Sequence, residues 1–475
     1  MPNYNSPKGG MLKLYIMNKK HLHIWFSVAI IALLLLAMQW QKASNDKSAK
    51  KDPSLNLATT KIDTISRNLE YSDIVFSLDG HRVAYIAMKG DKASVIINGK
   101  EGKQYDVIKN LLFSPDGTQL AYIAENSGRA FIVHNDQGGE KYDFLGFAVF
   151  STDGTKLAYT AHEEGKQLLV LNGKESKKHD SISWFRFSSD GTQLAYLAND
   201  KEGSFIVLNG VEHQKYSHIP EFTFSPNGKN YAYIADQEGN YFLILNGQKS
   251  KNYSLLKTPT FSPDSTKIAY IAENNGKYFV AVNGKEGKKY DAVDTGQLIF
   301  SPDSTQLAYA VQEGEKSFIV LNNQEMKGYD AIDVRHAVFS PDSTQFAYLA
   351  YDNGEAFIVR NGQESAHHAT AWRPIFSPDS SRLVYLASNN DKSFMVLDGQ
   401  EGKEYNIVWG PVFSPDSKHL VYWVREGDEF FMVLDGQEGR KYQEAWATTF
   451  SKNSAQIAYG ALLNQELWWV VENTQ

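Results

Sequence analysis

The chain has 475 residues, a formal charge of -7, 42% hydrophobic residues and no cysteine. These figures exclude disulfides, thiolate metal sites and a cysteine nucleophile, and the interleaving of Lys with Glu leaves no basic stripe for nucleic acid. Material for a large core is ample, and the lack of cysteine is compatible with an oxidising compartment.

Residues 1–21 form a short polar tail whose last charges are Lys19 and Lys20, expected on the cytoplasmic side. From Leu22 to Trp40 there is no Lys, Arg, Asp or Glu. A helix of that length, rising about 1.5 Å per residue, nearly crosses a hydrocarbon core of about 30 Å. Trp25 and Trp40 sit near its ends, as interfacial anchors do. The flank Met38-Gln39-Trp40-Gln41-Lys42-Ala43 offers no good pair of small residues for cleavage, so an uncleaved transmembrane anchor is expected over a signal peptide. Four Lys lie on each side (Lys8, Lys13, Lys19, Lys20; Lys42, Lys47, Lys50, Lys51), and the charge count is a tie. Lys19 and Lys20 abut the apolar run as in a signal-anchor, which places the remainder outside the cytoplasm. Residues 41–60 read as a polar linker.

Residues 61–475 are a repeat array. A Phe recurs at Phe76, Phe113, Phe150, Phe187, Phe224, Phe261, Phe300, Phe339, Phe376, Phe413 and Phe450, every 37 residues except for two steps of 39. Nine residues after each stands a Tyr, from Tyr85 to Tyr459. A unit of this length cannot bury a core alone and must stack on its neighbours. Each unit reads as four strands. The first ends in the apolar pair before Ser, and Pro-Asp-Gly or Pro-Asp-Ser turns the chain. Leu120 to Ala124 typifies the second strand and Phe205 to Leu208 the third. Asn-Gly, as at Asn172-Gly173, Asn209-Gly210, Asn246-Gly247 and Asn283-Gly284, tolerates the positive angles of a two-residue hairpin, so a fourth strand of the Lys288 to Asp291 type should pair back antiparallel. A four-stranded antiparallel sheet about every forty residues is a propeller blade. The expected fold is all-β, a β-propeller of eleven four-stranded blades.

The last copy ends after its third strand, and Thr60 to Ser66 is an alternating β-branched segment without a blade. That segment is expected to supply the missing outer strand and join the termini. The turn carries Gly at Gly80, Gly117, Gly154, Gly191 and Gly228, then Ser at Ser265, Ser304, Ser343, Ser380, Ser417 and Ser454. Two architectures remain open, one large closed ring or two propellers of five and six blades.

The phrase Phe-Ser-Pro-Asp-Gly-x-x-Leu-Ala-Tyr, as in Phe113 to Tyr122, resembles the WD-like repeat of TolB-type β-propellers, and propeller domains of prolyl-oligopeptidase relatives look similar. The resemblance covers residues 76–475 and implies a bacterial envelope protein that binds something. It carries the fold more than the function, since propellers serve unrelated tasks. An N-terminal α/β domain and a hydrolase domain, found in those relatives, have no counterpart here.

The repeated Phe, Tyr and Asp are read as structural, because an active site is not built eleven times. Function is sought where the repeat varies. Three residues before each Phe stand Asp73, Asn110, Phe147, Trp184, Glu221, Thr258, Gln297, His336, Arg373, Gly410 and Ala447. With the first strand innermost, alternation puts this series on the central channel or its mouth. One residue earlier come Lys109, Lys257, Arg335, Trp372, Trp409 and Trp446. The candidate binding residues are therefore Trp184, Glu221, Arg335, His336, Trp372, Arg373, Trp409 and Trp446, with the three last Trp as an aromatic arc in consecutive blades, since Trp and Arg dominate interface energetics. Both two-residue insertions fall nearby, around Asp291 to Gln297 and Asp330 to His336. In His367-His368 one histidine occupies the fourth-strand Tyr position, which packing explains better than metal ligation.

Catalytic, phosphate-binding and calcium motifs are missing from the sequence, and Glu221 with Asp73, four blades apart, makes a poor glycosidase pair. No cofactor and no metal is expected. The reading is a non-enzymatic, membrane-anchored scaffold in the bacterial cytoplasmic membrane, facing the extracytoplasmic side, with an envelope protein as partner. The alternatives are a hydrolase or lyase working on a glycan or peptide in the channel, and a lectin-like glycan binder.

Overall fold

The computed structural model describes residues 60–61, 71–76, 82–97, 99–463 and 466–474. The expected anchor at 22–40 and most of the linker lie outside these residues. Among the described residues no helix is long and apolar enough to cross a membrane.

All regular structure described is β. Eleven antiparallel sheets follow one another along the chain, each with four strands in sequence order. In the seventh and ninth, the first strand is split into two short pieces, Ala292–Val293 with Ile299–Phe300 and Thr370–Ala371 with Ile375–Phe376. The eleventh takes its outer strand from the N-terminal segment, with Thr60 opposite Trp469 and Lys61 opposite Trp468. Of the segment Thr60 to Ser66 expected to close the last blade, Thr60 and Lys61 pair as stated and 62–66 lie outside the described residues. Eleven stacked four-stranded sheets with the chain ends sharing one of them fit a β-propeller, and the sheets are called blades below.

Local chemistry explains each turn. Ser114 Oγ donates to Asp116 and accepts the Gln119 N–H at 2.9 Å, while Asp116 accepts the Thr118 N–H at 3.1 Å. Two short polar side chains thereby satisfy the backbone that the strands leave bare. At the next hairpin Asn172 and Gly173 have φ of 49° and 78°, the mirror-image turn that fits strand twist. The Asn172 carboxamide also accepts the Leu157 N–H at 2.8 Å. Asp398 and Asp435 repeat that bond to Leu383 and Leu420, which is why Asp replaces Asn there without loss.

The fourth strand departs from expectation. Pairing begins directly after Asn-Gly, at Lys285–Glu286, breaks, and resumes as a single bridge at Tyr290 opposite Tyr278. The Lys288 to Asp291 stretch does pair back antiparallel, but only through Tyr290, and the strand itself begins earlier than expected. The cause is a bulge in which the Gly287 N–H bonds the Val280 carbonyl at 2.9 Å. Blades 1 and 10 have six-residue fourth strands, Lys100–Tyr105 and Gln437–Tyr442.

The core lies between blades. Ala121, Ile123, Ala130 and Ile132 of blade 2 pack on Leu145, Leu157, Tyr159 and Val170 of blade 3. The second-strand Tyr is buried in every blade from the second onward. The junction between blades 5 and 6, where Gly gives way to Ser, is packed like the others, with Ala232, Ile234 and Leu243 against Tyr253, Leu256 and Tyr270.

Candidate functional site

The first strand of a blade carries the candidate residues, and its geometry is irregular at the same place in blade after blade. A break in register lies between Lys109 and Leu112, Leu145 and Ala148, His218 and Glu221, Lys257 and Thr260, Asp333 and Val338, and Trp409 and Val412. Simple alternation therefore does not hold across the variable positions, which sit on a β-bulge. A bulge re-aims side chains and ends pairing, so substitutions there leave the ladder intact. Asn110, Thr258 and Gly410, at matching positions, have positive φ of 57°, 55° and 64°. A β-branched Thr is unusual in that conformation, and here it is held from both sides. Its N–H bonds the Glu221 carboxylate of the preceding blade at 3.1 Å, and its hydroxyl donates to the Thr295 carbonyl of the next at 3.2 Å. The variable positions of blades 5, 6 and 7 are thus in direct contact, and the same position recurs in a row from blade to blade.

Along that row the candidates separate into two groups. Trp184 and Glu221 belong to blades 4 and 5. Trp184 is half-buried, 5.2 Å from Phe222 and with the Arg186 guanidinium 5.0 Å over its ring. Glu221 is occupied by Thr258. Both have structural partners, and a carboxylate tied to a backbone N–H is poorly placed to act as an acid or base.

The second group lies in blades 8 to 11. Asp333, with its side chain only 14% exposed, receives Arg335 through Nε at 3.0 Å and Nη2 at 3.1 Å, and stands 3.0 Å from His336 Nδ1. Burial pushes the Asp333 carboxyl up, but the hydrogen bonds from Arg335 and His336 outweigh it and hold it below its ordinary range. The extra residues of blade 8 thus build a carboxylate seat that fixes an otherwise exposed guanidinium. In blade 9 the strand is interrupted at Trp372-Arg373-Pro374. Trp372 is 42% exposed and its N–H is held by the Leu386 carbonyl at 2.9 Å. Arg373 is exposed. Trp409 in blade 10 is half-buried, edge-on to Phe430 at 6.0 Å. Trp446 in blade 11 lies opposite Gly460 in the ladder, and its side chain lies outside the described ones. No ring contact joins Trp372 to Trp409, and among the described side chains of this sector the exposed indole is Trp372.

One prominent residue escaped selection. Phe147, at the same bulge position in blade 3, is 79% exposed, and Phe144 on the same strand is 47% exposed. The signal was present in the variable series, where Phe147 stands beside Trp184. Arg and Trp drew the choice to blades 8 to 11, and no sequence feature tells an exposed aromatic from one seated on a neighbour. His368, as expected, fills the Tyr position, bridging to Ala356. No group of three or more metal-ligating side chains occurs among the described residues.

Known proteins add little beyond this. No protein-family model matches the sequence, and no curated protein does. Among solved structures, the chain is similar to a eukaryotic initiation factor (14% identity, TM-score 0.37, covering 82% of this chain and 97% of that one). It is also similar to TolB from Acinetobacter baumannii (14%, TM-score 0.24, 59% and 76%). A third likeness is to the β-propeller domain of Myceliophteria thermophila Cps50 (Swd1) (12%, TM-score 0.25, 54% and 96%). At these identities and scores the fold rests on the eleven sheets themselves.

Proposed function

We propose that the chain is a propeller of one continuous ring, anchored in a bacterial cytoplasmic membrane by residues 22–40, that binds an envelope protein on its extracytoplasmic side. The favoured contact is the sector of Arg335, His336, Trp372, Arg373, Trp409 and Trp446. One observation carries this reading. Trp372 and Arg373 are exposed side by side on an interrupted strand, while Trp184 and Glu221, which hold the Arg373 position in blades 4 and 5, are committed to their own fold. An exposed indole beside a guanidinium is the pairing from which interface hot spots are made.

The test is capture from detergent-solubilised envelopes with the full chain as bait, beside bait carrying Trp372→Ser and Arg373→Glu. A protein retained by the first and lost by the second supports the reading. Equal retention by both removes the face, and retention of glycan in place of protein moves the assignment to a lectin-like binder.

A further inference from the structure

At most blade junctions the outer rim is closed by a latch. Tyr329 donates its hydroxyl to Glu364 of the next blade at 2.8 Å, and Lys327 reaches the same carboxylate at 2.6 Å. Tyr405 and Lys403 hold Glu438 in the same way, at 3.0 and 2.6 Å. At the junction of blades 8 and 9 both donors are replaced. His368 stands for the Tyr and Ala366 for the Lys, and the acceptor is Glu401. His179, the other histidine at this position, keeps its latch, because Lys177 still pairs with Glu212 at 2.9 Å.

The His368 ring is 2% exposed, lies edge-on to Phe394 at 5.4 Å, and stands 6.2 Å from Tyr385. Neither ring nitrogen has a hydrogen-bond partner, and the Tyr385 hydroxyl beside it has none. Glu401 Oε1 is 3.8 Å from Nδ1, too far for a hydrogen bond, and that carboxylate is half in solvent. The adjacent His367 points elsewhere, stacked on Phe357 at 4.0 Å and facing Glu355 and Glu364 at 3.2 and 3.5 Å. The groups around His368 are therefore Tyr385 and Glu401 from blade 9 and His367 on its own segment.

A neutral imidazole is tolerated in this apolar slot, whereas an imidazolium with no acceptor is not. We propose that His368 makes the junction of blades 8 and 9 an acid-labile latch: once protonated, the ring leaves its slot towards Glu401 and loosens the segment that leads into Trp372. Burial holds the His368 pKa below the usual imidazole value, against the pull of Glu401 and with the push of His367. For a base depressed in this way, the stability of the junction is complete above the ordinary histidine pKa and is lost as pH falls through the lower folded value. Between His368 and Trp372 stand the Ala369 N–H on Asn389 and the Thr370–Ser388 and Ala371–Ala387 pairs, so loosening passes through these before it reaches the Trp372 hydrogen bond to Leu386. This release does not depend on what Trp372 binds.

Hydrogen exchange of the full chain in detergent, read at about pH 7.5 and about pH 5.5 and corrected for intrinsic rates, tests it. Acidification should lower protection of residues 366–376 several-fold more than that of the matching 403–413, whose latch is Tyr405 with Lys403. His368→Tyr should abolish the difference, as should His368→Gln if the phenol does not fit, and His367→Gln should leave it. Equal losses in the two segments of the unsubstituted chain, persistence of the difference in both His368 variants, or its removal by His367→Gln would each overturn the latch.

Discussion

Blades 2 to 5 and blades 6 to 11 solve one problem in two ways. The turn after the first strand must pass close to the turn of the preceding blade with a residue in the left-handed region. In the earlier blades that residue is Gly, and a Cβ at Gly191 or Gly228 would come within 2.9 or 2.4 Å of the carboxyl group of Asp153 or Asp190. In the later blades it is a buried Ser with φ of 59° to 65°. Its hydroxyl accepts the N–H of the preceding turn: Ser265 from Asn227 at 3.0 Å, Ser304 from Asp264 at 2.9 Å, and so on to Ser454 from Asp416 at 3.0 Å. Backbone strain of about 1–2 kcal/mol is accepted for a buried hydrogen bond. Two of the Gly blades, 3 and 4, use another bond, with Thr152 donating to the Ser189 carbonyl and Ser189 to that of Pro226, at 2.8 and 2.5 Å. These two residues replace the Pro of the standard turn, so close approach and hydroxyl donation go together.

Exchanging the two solutions is the strongest way to break the comparison. Gly228→Ser introduces a left-handed Cβ against Asp190 and should destabilise the protein by about 2 kcal/mol, measured by denaturant unfolding. Ser304→Ala keeps the strained Cβ and removes the acceptor of the part-buried Asp264 N–H, which should cost about 1 kcal/mol or more. Ser304→Gly loses the same bond but relieves the strain, so its cost should be under about 1 kcal/mol. The gap between the two Ser304 variants measures the strain alone.

A smaller effect sharpens the electrostatic side. Hydrogen bonds from the Ser hydroxyl and then from the backbone N–H two residues on hold Asp342 and Asp379 at about 2. A carboxylate depressed in the folded state contributes stability above its unfolded pKa and loses it as pH falls through the folded value. Stability should therefore fall between about pH 4 and pH 2. Asp342→Asn should leave stability at pH 7 nearly unchanged and flatten that fall slightly, because Asn227 already makes both turn bonds in blade 5.

The sequence exposed the periodic part of this molecule almost completely. Phe, Tyr and Asn-Gly recur because backbone geometry and inter-blade packing demand them, and such demands are local enough to read. The fourth strand was misplaced because its bulge depends on a backbone bond from Gly287 to Val280 across the hairpin. The site was harder. Trp184 and Phe147 hold the same repeat position, yet Trp184 rests on Phe222 of the next blade and Phe147 is exposed. The Arg335 seat on Asp333 was hidden in an insertion whose path no pattern specifies.

Closure of the chain on itself through its N-terminal segment is directly measurable, because the sequence contains no cysteine. Thr60→Cys with Trp469→Cys places two thiols at paired positions. Oxidation should give a monomeric, intramolecular disulfide, seen as faster migration without reductant and absent from either single variant. Only disulfide-linked dimers, or two thiols that stay free under oxidant, would contradict the closure.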